Sequence, residues 1–100
     1  MSFVQTYILS AAVGQERQIE DVMRRLAIAV RALSGCENIA IFRDEKTLGR
    51  YVFMERFTDS TAHRESAAHV PKTLLSELMG LLAGKPEILP LTTMNEALGL

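Results

Sequence analysis

Hydrophobic and polar positions follow two different periods along this chain, and each predicts a kind of element. Phe3 to Ala11 is apolar at both parities, with Phe3, Tyr7 and Leu9 on one face and Val4 and Ile8 on the other. It reads as a strand that needs cover on both faces. Gly14 breaks the run, and Ile19, Val22, Met23, Leu26, Ala27, Val30 and Leu33 then follow a three-four spacing. That stripe predicts an amphipathic helix from about Gln15 to Leu33, with Glu16 and Arg31 suited to its dipole and Gly35 as C-terminal cap. Glu37 to Arg43 alternates around Ile39 and Ile41 and predicts a second strand. Asp44 to Gly49 carries turn chemistry. Arg50 to Phe57 is a third strand with Tyr51, Phe53, Glu55 and Phe57 on one face and Val52 and Met54 on the other. The short link between these two strands predicts an antiparallel hairpin.

Asp59 or Ser60 caps a second helix. Pro71 disfavours a helical Val70, so a break or kink is expected there. The helix resumes with Leu74, Leu75, Leu78, Met79 and Leu82 on one stripe, and Gly84 and Pro86 end it. Ile88 to Met94 is the last strand, and Pro90, lacking an amide donor, places it at a sheet edge. Asn95 to Leu100 is expected as a loose tail or an arm reaching a partner.

The order β-α-β-β-α-β is that of a ferredoxin-like α+β fold, a four-stranded antiparallel sheet. Right-handed crossovers put both helices on one face of it. The first and third strands are apolar on both faces, so the uncovered face would be a large apolar patch. A second copy of the sheet is the simplest cover, and the expected assembly is a homodimer whose two sheets form one α+β barrel.

Composition narrows this picture without redirecting it. One hundred residues, 48% hydrophobic and 23% charged, fit a single globular domain over residues 1–100. A net charge of -1 gives no footprint for nucleic acid. Arg24, Arg25 and Arg31 gather late in the first helix, where cations complement its dipole. Cys36 is the only cysteine, so no internal disulfide forms and a reducing compartment is expected. No segment has the roughly 18 to 20 apolar residues of a membrane helix. Phe3 to Gly14 lacks a basic leader and reads as a strand rather than a signal peptide, which leaves the cytoplasm as the expected location.

Four local features carry a resemblance to the antibiotic-biosynthesis-monooxygenase-like family of dimeric α+β barrels. They are Gly14 between first strand and first helix, Ser34-Gly35-Cys36 before the second strand, Glu55-Arg56-Phe57 ending the third, and Ser60-Thr61-Ala62 opening a histidine-bearing helix. The resemblance spans roughly Val4 to Met94. Two departures stand out. Phe57 replaces the family's usual tryptophan and so lacks an indole donor. The family's frequent helical histidine would fall at Ser66, whereas histidines sit at His63 and His69, three residues to either side and about 60° around the helix. Haem-degrading relatives use a first-strand asparagine with a helical tryptophan and histidine. Here the first strand offers Gln5, and the chain has no tryptophan.

The chain has no phosphate loop or dinucleotide fingerprint, and its two histidines lack the i, i+4 spacing of a metal pair. Neither a cofactor nor a metal is therefore expected. Cys36 follows a helix end and reads as packing. The resemblance implies oxidation of an electron-rich aromatic, a quinol or polyketide-like molecule, by oxygen without a prosthetic group. The substrate loses a proton and its anion reduces oxygen, which asks for an apolar pocket and a proton acceptor. Tyr51, Phe53 and Phe57 share a strand face and are the expected pocket wall with Ser66; the alternative is plain core. His63 is the first choice for the base, His69 the second, with Glu55 on the aromatic face. The plain readings are a solvated His63, a surface or interface His69 and a structural Glu55. Two other functions remain open: a non-catalytic small-ligand-binding or dimerisation module, and an isomerase or lyase using the same acid-base groups.

Overall fold

A computed structural model describes residues 1–94; the tail expected at Asn95–Leu100 lies outside the described residues. The elements are β1 (Phe3–Ser10), α1 (Glu16–Arg31), β2 (Cys36–Arg43), β3 (Arg50–Phe57), α2 (Ser60–Ser66), a 3-10 turn (Ala67–His69), α3 (Lys72–Gly80) and β4 (Glu87–Thr92). The strands form one antiparallel sheet in the order β2-β3-β1-β4. This is the ferredoxin-like α+β arrangement, with β1 and β3 at its centre.

Ile19, Val22, Met23, Leu26 and Val30 of α1 are buried, as their spacing requires. They pack with Leu9, Tyr51, Phe53, Phe57 and Leu78 into one core on the helix side of the sheet. The register sets Tyr7 against Phe53 and Gln5 against Glu55 on that side. Val4, Thr6 and Ile8 face the other way, beside Arg56, Met54 and Val52. β4 adds Leu89 and Leu91, and β2 adds Ala40 and Phe42, to this second face. Phe42 is 51% exposed and Leu91 45%. The helices leave this face uncovered.

Two local devices set the position of α2. Gly35 has φ +82°, and a Cβ built on it would lie 2.8 Å from the Ala62 Cβ. Only glycine lets the α1–β2 turn pass this close to α2. Asp59 caps the helix, its Oδ1 accepting from the Ala62 amide at 2.7 Å. The break expected before Pro71 is present: Val70 is extended at φ -73°, ψ 130°, between the 3-10 turn and α3.

The element ends differ from the sequence pattern where tertiary partners compete. α3 stops at Gly80, and Leu82 bridges to Ala11 instead of extending the helical stripe. The Ala12 amide donates to the Leu81 carbonyl and the Ala83 amide to that of Ser10, both at 2.8 Å. These bonds to the end of β1 replace helical ones. β4 begins at Glu87 and stops at Thr92, opposite Phe3, where β1 itself begins. β2 gains Cys36, opposite Phe57, with a register shift before Asn38. That bulge fits one extra residue into the edge strand. Among the described residues no helix is long and apolar enough to cross a membrane.

Candidate active site

A cavity of about 200 Å³ lies between the helix side of the sheet and the α2–α3 segment. Its walls are mostly apolar, from Leu9, Phe53, Leu26 and Leu78, and its polar groups come from Tyr7, Glu55, His63 and Ser66. Leu75 and Met79 of α3, both partly exposed, also line it.

Glu55 reaches the cavity because β3 is an inner strand. Its parity, set by the buried neighbours Phe53 and Phe57, turns it toward the helices. His63 comes from the middle of the short helix α2 and stands between Phe3 and Phe57, both ring centroids 5.2 Å away. The His63 Nε2 lies 3.5 Å from the Glu55 Oε2, with side chains only 18% and 10% exposed. Ser66 is buried, and its hydroxyl donates to the His63 carbonyl at 2.7 Å. Ser66 therefore fixes the helix backbone that carries the histidine.

Burial shifts both members of this pair toward their neutral forms. It pushes the Glu55 carboxyl up to about 7. It lowers His63, helped by the positive charge of Arg64. Desolvation penalises a charge on either group, and the pair so described accepts one proton near neutral pH. Such a couple, at the wall of an apolar cavity, can take a proton from an acidic O–H or C–H and later return it.

The other expected site residues separate. Phe53 lines the cavity, whereas Phe57 is fully buried behind His63. Tyr51 lies elsewhere: its hydroxyl donates to the Glu20 Oε2 at 2.7 Å, in a cluster with Arg43 and Arg24. Residues of one parity share a face but not a site, since four residues of strand span roughly 13 Å. His69, in the 3-10 turn, is exposed beside Leu33, Ser34 and Glu65 and does not line the cavity. Cys36 is buried, with its Sγ 3.7 Å from the Asn38 carbonyl, and burial raises its thiol pKa. Among the described residues no three His, Cys, Asp or Glu side chains gather as metal ligands.

Sequence reasoning missed Tyr7, which points into the cavity edge-on to Phe53 with centroids 6.3 Å apart. Its parity was visible in the sequence, but its neighbours depend on the β1–β3 register. Burial, and next the charge of Glu55, raise its pKa to about 12, and the Gln5 amide offsets part of the shift. The Gln5 Oε1 is buried without a hydrogen-bond partner among the described residues. Val70, Leu75 and Pro86, supplied by the segment around and after the helix break, were likewise not foreseen as lining.

The same frame occurs in solved structures. A single-residue variant of SnoaB, a cofactor-independent oxygenase from Streptomyces nogalater, superposes with a TM-score of 0.80 at 20% identity over 94% of each chain. Rv0793 from Mycobacterium tuberculosis gives 0.84 at 14% identity, covering 97% of this chain and 99% of that one. PA3566 from Pseudomonas aeruginosa gives 0.79 at 20% identity, covering 94% and 95%. At such identities the likeness speaks for the fold. No curated protein matches the sequence. The pattern of the antibiotic biosynthesis monooxygenase family, however, matches residues 1–70, most of the length that builds the sheet and the Glu55–His63 pair, and the chain belongs to that family.

Proposed function

We propose that this protein is a cofactor-independent monooxygenase acting on a small electron-rich aromatic. The observation that carries the reading is the Glu55–His63 pair, 3.5 Å apart at the wall of an apolar cavity. The pair takes a proton from the substrate. The resulting anion gives one electron to molecular oxygen, and the substrate radical and superoxide combine into a carbon-bound peroxide. The returned proton makes it a hydroperoxide, which loses water and leaves a new carbonyl. One oxygen atom ends in product and one in water, with the substrate as the sole reductant. The protein's part is to exclude water, hold the ring and move the proton.

The reading includes a homodimer. The second sheet face presents Ile8, Val52, Met54, Ala40, Phe42, Leu89 and Leu91 as an apolar surface around the buried Val4, with Arg56 on the same face. The Thr6 Oγ1 is buried on that face without a hydrogen-bond partner among the described residues. A second copy, related by a two-fold axis, covers both at once. A monomeric mass in solution at micromolar concentration would count against it.

Oxygen consumption by purified protein, with a panel of quinols and anthrone-type phenols and no added cofactor or metal, tests the activity. Uptake that disappears on heat denaturation supports it. Ligand binding without uptake favours the second reading, a small-ligand-binding module of the same fold, which the exchange of tryptophan for Phe57 keeps open. Turnover without oxygen uptake points to an isomerase or lyase.

A further inference from the structure

We propose that Tyr7 selects the substrate: its hydroxyl holds a second oxygen on a compact one- or two-ring aromatic whose first oxygen meets the Glu55–His63 pair. The inference rests on the reading above and names its substrate class as a small hydroquinone or its keto tautomer.

Three observations carry it. The first is position. Tyr7 lines the cavity from β1 and pairs with Phe53, while Glu55 pairs with Gln5. Tyr7 and Glu55 are therefore diagonal neighbours on one sheet face, with Cα atoms about 7–8 Å apart in standard geometry. The two side chains therefore stand on one wall of the cavity, where a single aromatic ligand can touch both. The second is chemistry. Tyr7 keeps its proton throughout the neutral range, as any tyrosine does, and burial raises its pKa further, to about 12. It can donate a hydrogen bond but cannot serve as the base beside Glu55. A donor at the far oxygen also favours the anion, whose charge spreads across the ring. The third is size. A cavity of about 200 Å³ is below the range of roughly 300–1,000 Å³ usual for drug-sized ligands. Its walls are mostly inner-strand and helix side chains, with Phe53 packed edge-on against Tyr7. A cavity of this size favours one or two rings over three fused ones.

The test is equilibrium binding without oxygen, so that its result is independent of turnover. The full chain and its Tyr7→Phe variant are titrated with naphthohydroquinone, naphthol and anthrahydroquinone, with thermal unfolding to confirm that the variant is folded. Native protein is expected to bind naphthohydroquinone about 10-fold tighter than naphthol, the worth of one hydrogen bond. Tyr7→Phe is expected to lose that preference while keeping the naphthol affinity. A preference that survives in Tyr7→Phe, or no preference in the native protein, overturns the role of Tyr7. Anthrahydroquinone binding as tightly as naphthohydroquinone overturns the size limit. If these results hold and oxygen uptake is nil, the monooxygenase reading fails and the assignment of Tyr7 stands.

Discussion

The Glu55 carboxylate and the His63 imidazole meet 3.5 Å apart across the seam between β3 and α2. Neither element alone brings an acid to a base; the contact exists only because α2 folds back over the sheet. The two groups form one proton-accepting unit, so His63→Ala is expected to lower turnover about 10²-fold or more. Glu55→Gln should lower it comparably, and the double variant should lose far less than the product of the two. Oxygen uptake measured on the three variants checks this, and unchanged turnover in His63→Ala removes that residue from the mechanism.

The pH dependence of stability follows from Glu55. Its folded pKa, about 7, lies above the ordinary carboxyl value, so the native state holds the extra proton. The native state thus gains its full benefit at low pH and loses stability as pH rises through about 7. Glu55→Gln should therefore be more stable than the native protein at pH ~8, by about 1–3 kcal/mol. The difference should shrink toward zero at pH ~5, where the carboxyl is protonated. Thermal unfolding of both proteins at the two pH values measures it.

The rate should respond in the opposite sense. Turnover should fall as pH drops through about 7, because the proton acceptor fills. In Glu55→Gln any residual activity should depend on His63, whose pKa burial and Arg64 lower, and its acid limb should move to lower pH. Profiles of kcat against pH for the two proteins test this; superimposable limbs exclude Glu55 as the titrating group.

The α2 cap reaches the site through the backbone. Asp59 accepts the Ala62 amide, and His63 follows directly. Asp59→Ala should cost about 1 kcal/mol of stability. It should also lower turnover beyond that loss, as the imidazole leaves its place between Phe3 and Phe57. Asp59→Asn, which keeps a capping oxygen, should restore most of both. Chemical denaturation beside oxygen uptake separates the two effects.

Gly35→Ala meets two obstacles at once. The backbone sits at φ +82°, and the added Cβ would lie 2.8 Å from the Ala62 Cβ. The substitution should destabilise by ~1–3 kcal/mol and displace α2 from the sheet. A denaturation midpoint equal to that of native protein would show that the α1–β2 turn can move aside without loss.

How much of this the chain discloses on its own depends on the range of the forces involved. The α1 stripe from Ile19 to Val30, the parity of Phe53 and Glu55, the cap at Asp59 and the break before Pro71 are short-range features. Each follows from side-chain spacing or from the backbone preference of a single residue, so the element order and the family resemblance were legible. The ends of α3 and β4 were not, because Leu81, Ala83 and Thr92 take partners in or just after β1, at the far end of the chain. The site was legible only in part for the same reason. Glu55 and His63 were visible as chemistry, but Tyr51 was grouped with them by parity and belongs with Glu20. His69 stood second to His63 as a candidate base, and only the 3-10 turn sets it outside the cavity. Tyr7 was hidden because its neighbours come from register.

The sequence by itself determined the elements, their order and the face each side chain takes, since these arise from periods of two and 3.6 residues along one chain. Tertiary structure alone decided which residues share the cavity. Antiparallel register set Tyr7 beside Phe53, packing laid His63 against Glu55, and the resulting loss of water around the pair moved both groups toward neutral forms. That last step needs a closed interior, which no local stretch of sequence contains.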